Sequence, residues 1–361
     1  MTNKRIYNFG AGPAILPVPV LEEVSRGVLE IGKSGMSILE VSHRSKDYEA
    51  IHFDARDRML KLLGLNATDY SVLFLGGGAS LQFAMLPMAF LSTDQTADYV
   101  HTGEWSSKAI KEAKRFGKVN IAGTSEAEKF SVIPKKLNLT LGAKYVHVTS
   151  NNTIEGTEFS KFPTTGDVPL ICDASSDILS RQQDNTQFSM IYAGAQKNLG
   201  PAGVTVVVIK KSFLEQASEN VPAMLGYKTH AAADSLYNTP PAFGIYTVGL
   251  VLKWIENEGG VAAIEKRNRR KAEMIYQALD EYQGVYDPAV RAKEDRSNMN
   301  ITFRLKNAEK EKDFLAGAQA LGMDGLKGHR SVGGFRASIY NAFPEEGTKA
   351  LADYLHRFAK N

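Results

Sequence analysis

Residues 191–203 read Ile-Tyr-Ala-Gly-Ala-Gln-Lys-Asn-Leu-Gly-Pro-Ala-Gly. An apolar strand ends here in small residues, meets Lys197 and runs into a Gly/Pro turn. The small neighbours leave room beside the lysine for a bulky flat ligand. Taken alone, the segment also fits a surface lysine in a turn. Just downstream, residues 205–210 form the most β-rich run of the chain. The link from strand 190–193 is too short for a helical crossover, so the pair is expected to be antiparallel.

Upstream, short apolar runs alternate with helical patterns. Strands are expected at 71–75, 98–101, 118–121, 144–149 and 168–172, with one helix from about Leu81 and another over 105–116. That alternation argues for an α/β fold with a largely parallel sheet. Further towards the N-terminus, Leu21, Val24, Val28 and Ile31 recur at helical spacing. A second helix over 48–63 turns Ile51, Ala55, Met59, Leu62 and Leu63 inward, with Gly64 as its stop.

Beyond the lysine segment, a helix over 246–257 precedes Gly259-Gly260. The polar helix expected at 261–279 carries Lys266, Arg267, Arg269, Arg270 and Lys271, read as a solvated face. The rest has an α+β pattern: strands 300–304 and 336–339, helices 312–321 and 345–359. The expected division is a large cofactor-binding domain over 16–260 and a small domain built from 1–15 and 261–361.

Composition sets the outer limits. The chain has 361 residues, 43% hydrophobic and 23% charged, with a net charge of +3. That is enough chain for a large and a smaller domain. The charge is too mild for a nucleic-acid partner. A single cysteine, Cys172, suits a reducing compartment. The stretch Met1-Thr2-Asn3-Lys4-Arg5-Ile6 lacks an apolar signal segment, and runs such as 204–209 are too short to span a bilayer. A cytoplasmic location and no membrane partner are therefore expected.

The chemistry gathers around Lys197. Asp173 ends strand 168–172, and adjacent strands of an α/β sheet bring their carboxyl ends to one rim, where ligands bind. Gly76-Gly77-Gly78-Ala79-Ser80 lies between a strand and a helix, so its N–H groups can cradle a phosphate. An acid facing a pyridine nitrogen keeps it protonated and makes the ring a better electron sink. Phosphate cup, acid and lysine together describe the three anchors of pyridoxal 5'-phosphate. No metal site is expected.

The lysine segment resembles that of the phosphoserine aminotransferases, in the class V branch of the fold-type I pyridoxal-phosphate enzymes. Further motifs agree: Asn8-Phe9-Gly10-Ala11-Gly12-Pro13, Glu40-Val41-Ser42-His43-Arg44, Asn238-Thr239-Pro240-Pro241, and Lys-Gly-His-Arg-Ser-Val-Gly-Gly-Phe-Arg-Ala-Ser-Ile-Tyr-Asn-Ala over 327–342. The likeness spans nearly the whole chain, and the last motif is the most specific. It implies a mostly parallel seven-stranded sheet in a large domain, and a homodimer with shared active sites.

By that resemblance Lys197 forms the internal aldimine, Asp173 pairs with the pyridine nitrogen and Trp105 stacks on the ring. Thr153 bonds the ring hydroxyl side. Ala79, Ser80 and Gln196 contact the phosphate, and Asn238 and Thr239 reach it from the partner subunit. The likeness departs at Ser80, where some members carry arginine, so neutral donors dominate this loop. Arg336 is expected to take the substrate α-carboxylate in a bidentate fork. His43, Arg44, His329 and Arg330 would receive the substrate phosphate, or the distal carboxylate of glutamate.

The implied reaction takes L-glutamate and 3-phosphohydroxypyruvate to 2-oxoglutarate and O-phospho-L-serine, in serine biosynthesis. The substrate amine displaces Lys197, which then carries the proton between Cα and the cofactor carbon. Alternatives are a glyoxylate transaminase, a cysteine desulfurase and a non-catalytic phosphate-binding module. The desulfurase needs a mobile nucleophilic cysteine, whereas Cys172 falls in an expected buried strand. The module leaves the lysine–aspartate pairing unexplained.

Overall fold

The apolar runs between residues 70 and 210 pair into one sheet. A computed structural model describes residues 5–360. Residues 1–4, which belong to the expected small domain and to the N-terminal signal reading, lie outside the described residues, as does Asn361. Seven strands form the sheet, in the spatial order Tyr70–Leu75, Thr205–Lys210, Met190–Gly194, Leu170–Asp173, Val146–Thr149, Thr96–His101 and Lys118–Thr124. Thr205–Lys210 pairs antiparallel with both neighbours and every other pairing is parallel. Six strands therefore point their carboxyl ends to one rim.

Helices cover both faces of this sheet, so a strand such as Thr205–Lys210 is apolar on both of its faces. Val206, Val207, Val208 and Ile209 are all buried. One face packs Met59, Leu63, Ile245, Val248 and Leu252 against the strands. The other packs Phe83, Leu86, Phe90, Ala109 and Phe213. Helix Lys46–Leu63 stops where expected, at Gly64, whose φ of 68° suits the left-handed cap.

The first helix corrects part of the expected face. It spans Val18–Leu29 and buries Val20, Val24 and Gly27; of the expected residues Val24 and, just beyond the helix, Ile31 are buried, whereas Leu21 and Val28 are only half-buried. Tyr246 lies over Gly27 so closely that a Cβ there would sit 2.6 Å from its ring. The close helix crossing, rather than aliphatic spacing alone, selects the buried face.

A second core forms around the antiparallel strands Tyr286–Pro288, Asn300–Leu305 and Phe335–Ser338. Phe9 and Ile15 of the N-terminal arm join Ile301, Phe303, Phe314, Phe335 and Leu355 there. Helix Gly260–Glu281 bridges the two cores: Ile264 packs with the large sheet, Ala272, Ile275 and Leu279 with the second. Lys266, Arg269 and Arg270 of its basic cluster are exposed as expected, but the last member of the cluster is not. Lys271 is 0% exposed, and its ammonium faces the loop after strand Phe335–Ser338. No described helix is long and apolar enough to cross a membrane.

Candidate active site

Loops leaving the shared rim of the sheet build a cavity of about 240 Å³. Strand Leu170–Asp173 supplies Asp173, Ser175 and Ser176; strand Met190–Gly194 leads to Gln196 and Lys197. Strand Val146–Thr149 is followed by Asn151 and Thr153, and strand Tyr70–Leu75 by the glycine loop. Trp105 enters from the first turn of helix Glu104–Ala113. Of the expected cofactor residues, Ala79, Ser80, Trp105, Thr153, Asp173, Gln196 and Lys197 all line this one cavity.

The glycine loop owes its shape to backbone freedom at two positions. Gly77 and Gly78 have φ of 81° and 64°, a region that disfavours side chains. A Cβ on Gly77 would also meet Leu81 at 2.5 Å. Helix Gly78–Phe90 starts immediately and presents its free N–H groups to the cavity.

Lys197 is enclosed by protein but faces the cavity. Its Nζ donates to Thr153 Oγ1 at 2.8 Å and lies 5.8 Å from the Trp105 ring centroid. Burial pushes this amine down to about 8; Asp173 pulls it back up, and Arg336 adds to the fall. Asp173 is buried, and its Oδ1 accepts the Ser175 main-chain N–H at 3.0 Å. Burial raises this acid, against the Ser175 hydrogen bonds and the Lys197 charge. The cavity thus pairs a base near neutrality with a sequestered acid.

Arg336 comes from the second core, on strand Phe335–Ser338. Its Nη1 donates to the Thr153 carbonyl at 3.3 Å, while its Nε is buried with no hydrogen-bond partner among the described residues. That leaves donor capacity for an incoming carboxylate. His329 lines a cleft beside Arg336, and its ring is pushed down by burial and by the charges of Arg336 and Arg330. Arg330 is exposed on the same loop.

A polar seam fixes the two cores relative to each other. Asn151 Nδ2 donates to Asn300 Oδ1 at 2.8 Å, and the Asn341 main-chain N–H donates to Asn198 Oδ1 at 3.0 Å. The residue after Lys197 is therefore tied to the strand-and-loop unit that carries Arg336.

Seven expected residues do not line this cavity: Arg336 and His329 line the neighbouring cleft, Arg330 is exposed on their loop, and His43, Arg44, Asn238 and Thr239 lie on other segments. His43 and Arg44 precede helix Lys46–Leu63, and Asn238 and Thr239 are exposed ahead of helix Ala242–Asn257. The two segments share a face, because Ile38, Val41 and Tyr48 pack with Leu236, Ala242 and Tyr246. Leu39 and Tyr237 stand 65% and 50% exposed there. Conversely, sequence reading missed Ser175 and Ser176. Their signal was an Asx turn, the pattern in which a strand-ending Asp accepts a main-chain N–H two residues on.

The surroundings of Cys172 oppose desulfuration. The thiol is 0% exposed within strand Leu170–Asp173, and burial pushes it up, away from the thiolate such chemistry needs.

Comparison with known proteins fits this geometry. The aminotransferase class-V family profile matches residues 6–351. The phosphoserine aminotransferase of Niallia circulans is 53% identical over 361 residues, covering 99% of each chain. The solved phosphoserine aminotransferase from Bacillus circulans subsp. alkalophilus superposes with a TM-score of 0.96 at 52% identity, covering 99% of each chain. A pyridoxal-phosphate-bound phosphoserine aminotransferase from Trichomonas vaginalis gives a TM-score of 0.91 at 38% identity, covering 97% of this chain and 99% of that one. With its fold-type I architecture and its lysine-centred cavity, the chain belongs to the class V aminotransferases, in the phosphoserine aminotransferase family.

Proposed function

We propose that this enzyme transfers an amino group between L-glutamate and 3-phosphohydroxypyruvate, giving 2-oxoglutarate and O-phospho-L-serine, with pyridoxal 5'-phosphate held at Lys197. The observation that carries it is the placement of Lys197, Asp173 and the glycine-loop helix start around one 240 Å³ cavity, with Arg336 bonded to Thr153 at its edge. The residues fit the cofactor. Ala79 and Ser80 offer donors at the helix start, Asp173 offers a buried carboxylate to the ring nitrogen, and Trp105 offers a flat face. Thr153 serves the ring hydroxyl side and Gln196 the phosphate side.

Bound there, the cofactor supplies an electron sink for the pair left when a Cα proton departs. The chain does the rest. Lys197, with its amine lowered to about 8, has a usable neutral fraction near pH 7 and can take and return that proton. Thr153 holds Nζ towards the cavity. Arg336 orients the substrate through its α-carboxylate, and its buried, unpartnered Nε adds a second donor. His329 and Arg330, with His43 and Arg44, form the cationic site for a phosphate or a distal carboxylate.

Asn238, Thr239, His43 and Arg44 act across a homodimer interface in this reading. Their shared, exposed and partly apolar face supports it. The division of the chain near residue 260, with the N-terminal arm joining the C-terminal part, follows core membership. Cytoplasmic residence completes the proposal.

A coupled assay with O-phospho-L-serine and 2-oxoglutarate, with serine as control, tests the function. Turnover with phosphoserine and little with serine is expected. Equal turnover of the two would replace the phosphate-specific reading with a general transaminase.

A further inference from the structure

Beneath Asp173 lies a buried group of charges that the mechanism above does not use. Asp177, Glu158 and Arg181 have side chains only 4%, 3% and 16% exposed. One cation therefore faces two carboxylates. Glu158 has the better claim on it: it pairs closely with Arg181 and also accepts the Asn298 main-chain N–H at 2.8 Å. Asp177 is left with Arg181 Nη2 at 3.4 Å, a long contact, and with the hydroxyl of Ser150.

Charge counting at Arg181 and hydrogen counting at Ser150 both favour a protonated Asp177. Ser150 Oγ lies within hydrogen-bond distance of two acceptors, the Asp173 carbonyl oxygen at 3.0 Å and Asp177 Oδ1. A hydroxyl has one hydrogen to give. The Asp173 carbonyl also accepts the Ser150 main-chain N–H at 3.0 Å, so the cost of an ionised Asp177 is chiefly that two buried carboxylates then share the one Arg181 charge, with the Oγ–carbonyl contact left without a proton. A protonated Asp177 completes both: its O–H donates to Ser150 Oγ, and Ser150 donates to Asp173 O.

We propose that Asp177 carries a proton and, through Ser150, helps hold the main chain of Asp173 in place, so that no second unpaired carboxylate lies beneath Asp173. The proposal rests on the cofactor role given to Asp173 above. Asp177 is a positioning residue in this scheme. The titratable groups facing it are Arg181, Glu158, Asp173 and Cys172, with Lys197 beyond. Burial dominates and raises Asp177 to about 7, against the pull of Arg181 and with the help of Glu158 and Asp173. Being neutral, it spares the site a second negative charge beside Asp173.

The test is infrared difference spectroscopy of the holoenzyme, wild type minus Asp177→Asn. A carboxylic-acid C=O band at about pH 6 that fades through about pH 7 is expected, because only a folded-state acid with a raised pKa is protonated there. No acid band at pH 6 overturns the proposal. The melting temperature of Asp177→Asn relative to wild type should climb between about pH 5 and pH 7. The folded wild type binds more protons than the unfolded chain over that interval, so its stability falls with rising pH, and the amide lacks this effect. A pH-independent difference also overturns the proposal.

Affinity of the cofactor-free protein for pyridoxal phosphate gives the functional arm. At about pH 6 the amide, an uncharged mimic of the acid, should bind within about three-fold of wild type, and a loss beyond about ten-fold overturns the proposal. If Asp177→Asn does not fold, Ser150→Ala replaces it. Loss of the hydroxyl acceptor should shift the acid band, and an unmoved band counts against the relay. If neither protein takes up pyridoxal phosphate, the cofactor reading fails, while the infrared band still reports on Asp177.

Discussion

Lys197 and Lys271 are both enclosed by the protein, and burial pushes both amines down. Their surroundings differ in how many acceptors they offer. Lys271 Nζ donates to the carbonyls of Ile339, Tyr340 and Phe343 at 2.8, 2.6 and 3.2 Å. Three acceptors need three hydrogens, which only the ammonium form has, so we read Lys271 as a charged pin for the loop after strand Phe335–Ser338. Lys197 has a single hydroxyl partner and faces a cavity. Burial lowers a lysine; unfilled donor capacity beside open space makes it available for chemistry.

Substitution at each lysine sharpens the contrast. Lys197→Ala should lower transamination by at least about 1,000-fold, because the proton carrier is gone, while the melting temperature changes little. Near wild-type turnover in that variant would remove Lys197 from the mechanism. Arg336→Lys comes next. It keeps the charge but loses the planar fork, and kcat/KM for both amino donors should fall about 100-fold. Unequal losses for glutamate and phosphoserine would mean that Arg336 reads the distal anion instead.

Lys271→Met should do the reverse. Three carbonyls lose a donor at about 1 kcal/mol each, so destabilisation of about 3 kcal/mol is expected from denaturant titration. The kcat of the folded fraction should stay within about three-fold of wild type. A stable variant with damaged chemistry would overturn the comparison, by placing Lys271 in the catalytic machinery.

The two lysines also show what was legible in the sequence. Lys197 was readable because its partners are local in pattern: a strand end, small residues, a second strand ending in Asp173, a glycine loop. Parallel pairing converts those strand ends into one rim, so the cavity followed from topology. Lys271 was misread as part of a solvated cluster. Yet Ile264, Asn268, Lys271, Ile275 and Ala278 form one buried helical stripe, and its register places Lys271 inward. Composition outweighed periodicity in that reading.

His43, Arg44, Asn238 and Thr239 were legible only by resemblance. No pattern within one chain would reveal a loop that completes a site in a second subunit, the role proposed for these four, and none of them lines this chain's cavity. The face of helix Val18–Leu29 was partly illegible for another reason. One of its three buried residues is a glycine packed under Tyr246, and hydrophobic spacing is blind to a close approach.

The smallest expected effect is also the most direct probe of the contrast. In cofactor-free protein, an amine-reactive acylating reagent should modify Lys197 with a rate that rises through pH 8, since its amine is lowered to about 8 and only the neutral form is nucleophilic. Exposed lysines should rise towards their ordinary value of about 10.4. Lys271 should stay unmodified at every pH at which the protein is folded, because all its hydrogens are engaged and its side chain is fully buried. Mass mapping after brief exposure separates the three classes. Lys271 labelled in step with Lys197 would mean that its carbonyl cage opens readily in the native state. Lys197 labelled only as fast as surface lysines would mean that Asp173 offsets the effect of burial, leaving too little neutral amine near pH 7 for the base role assigned to it.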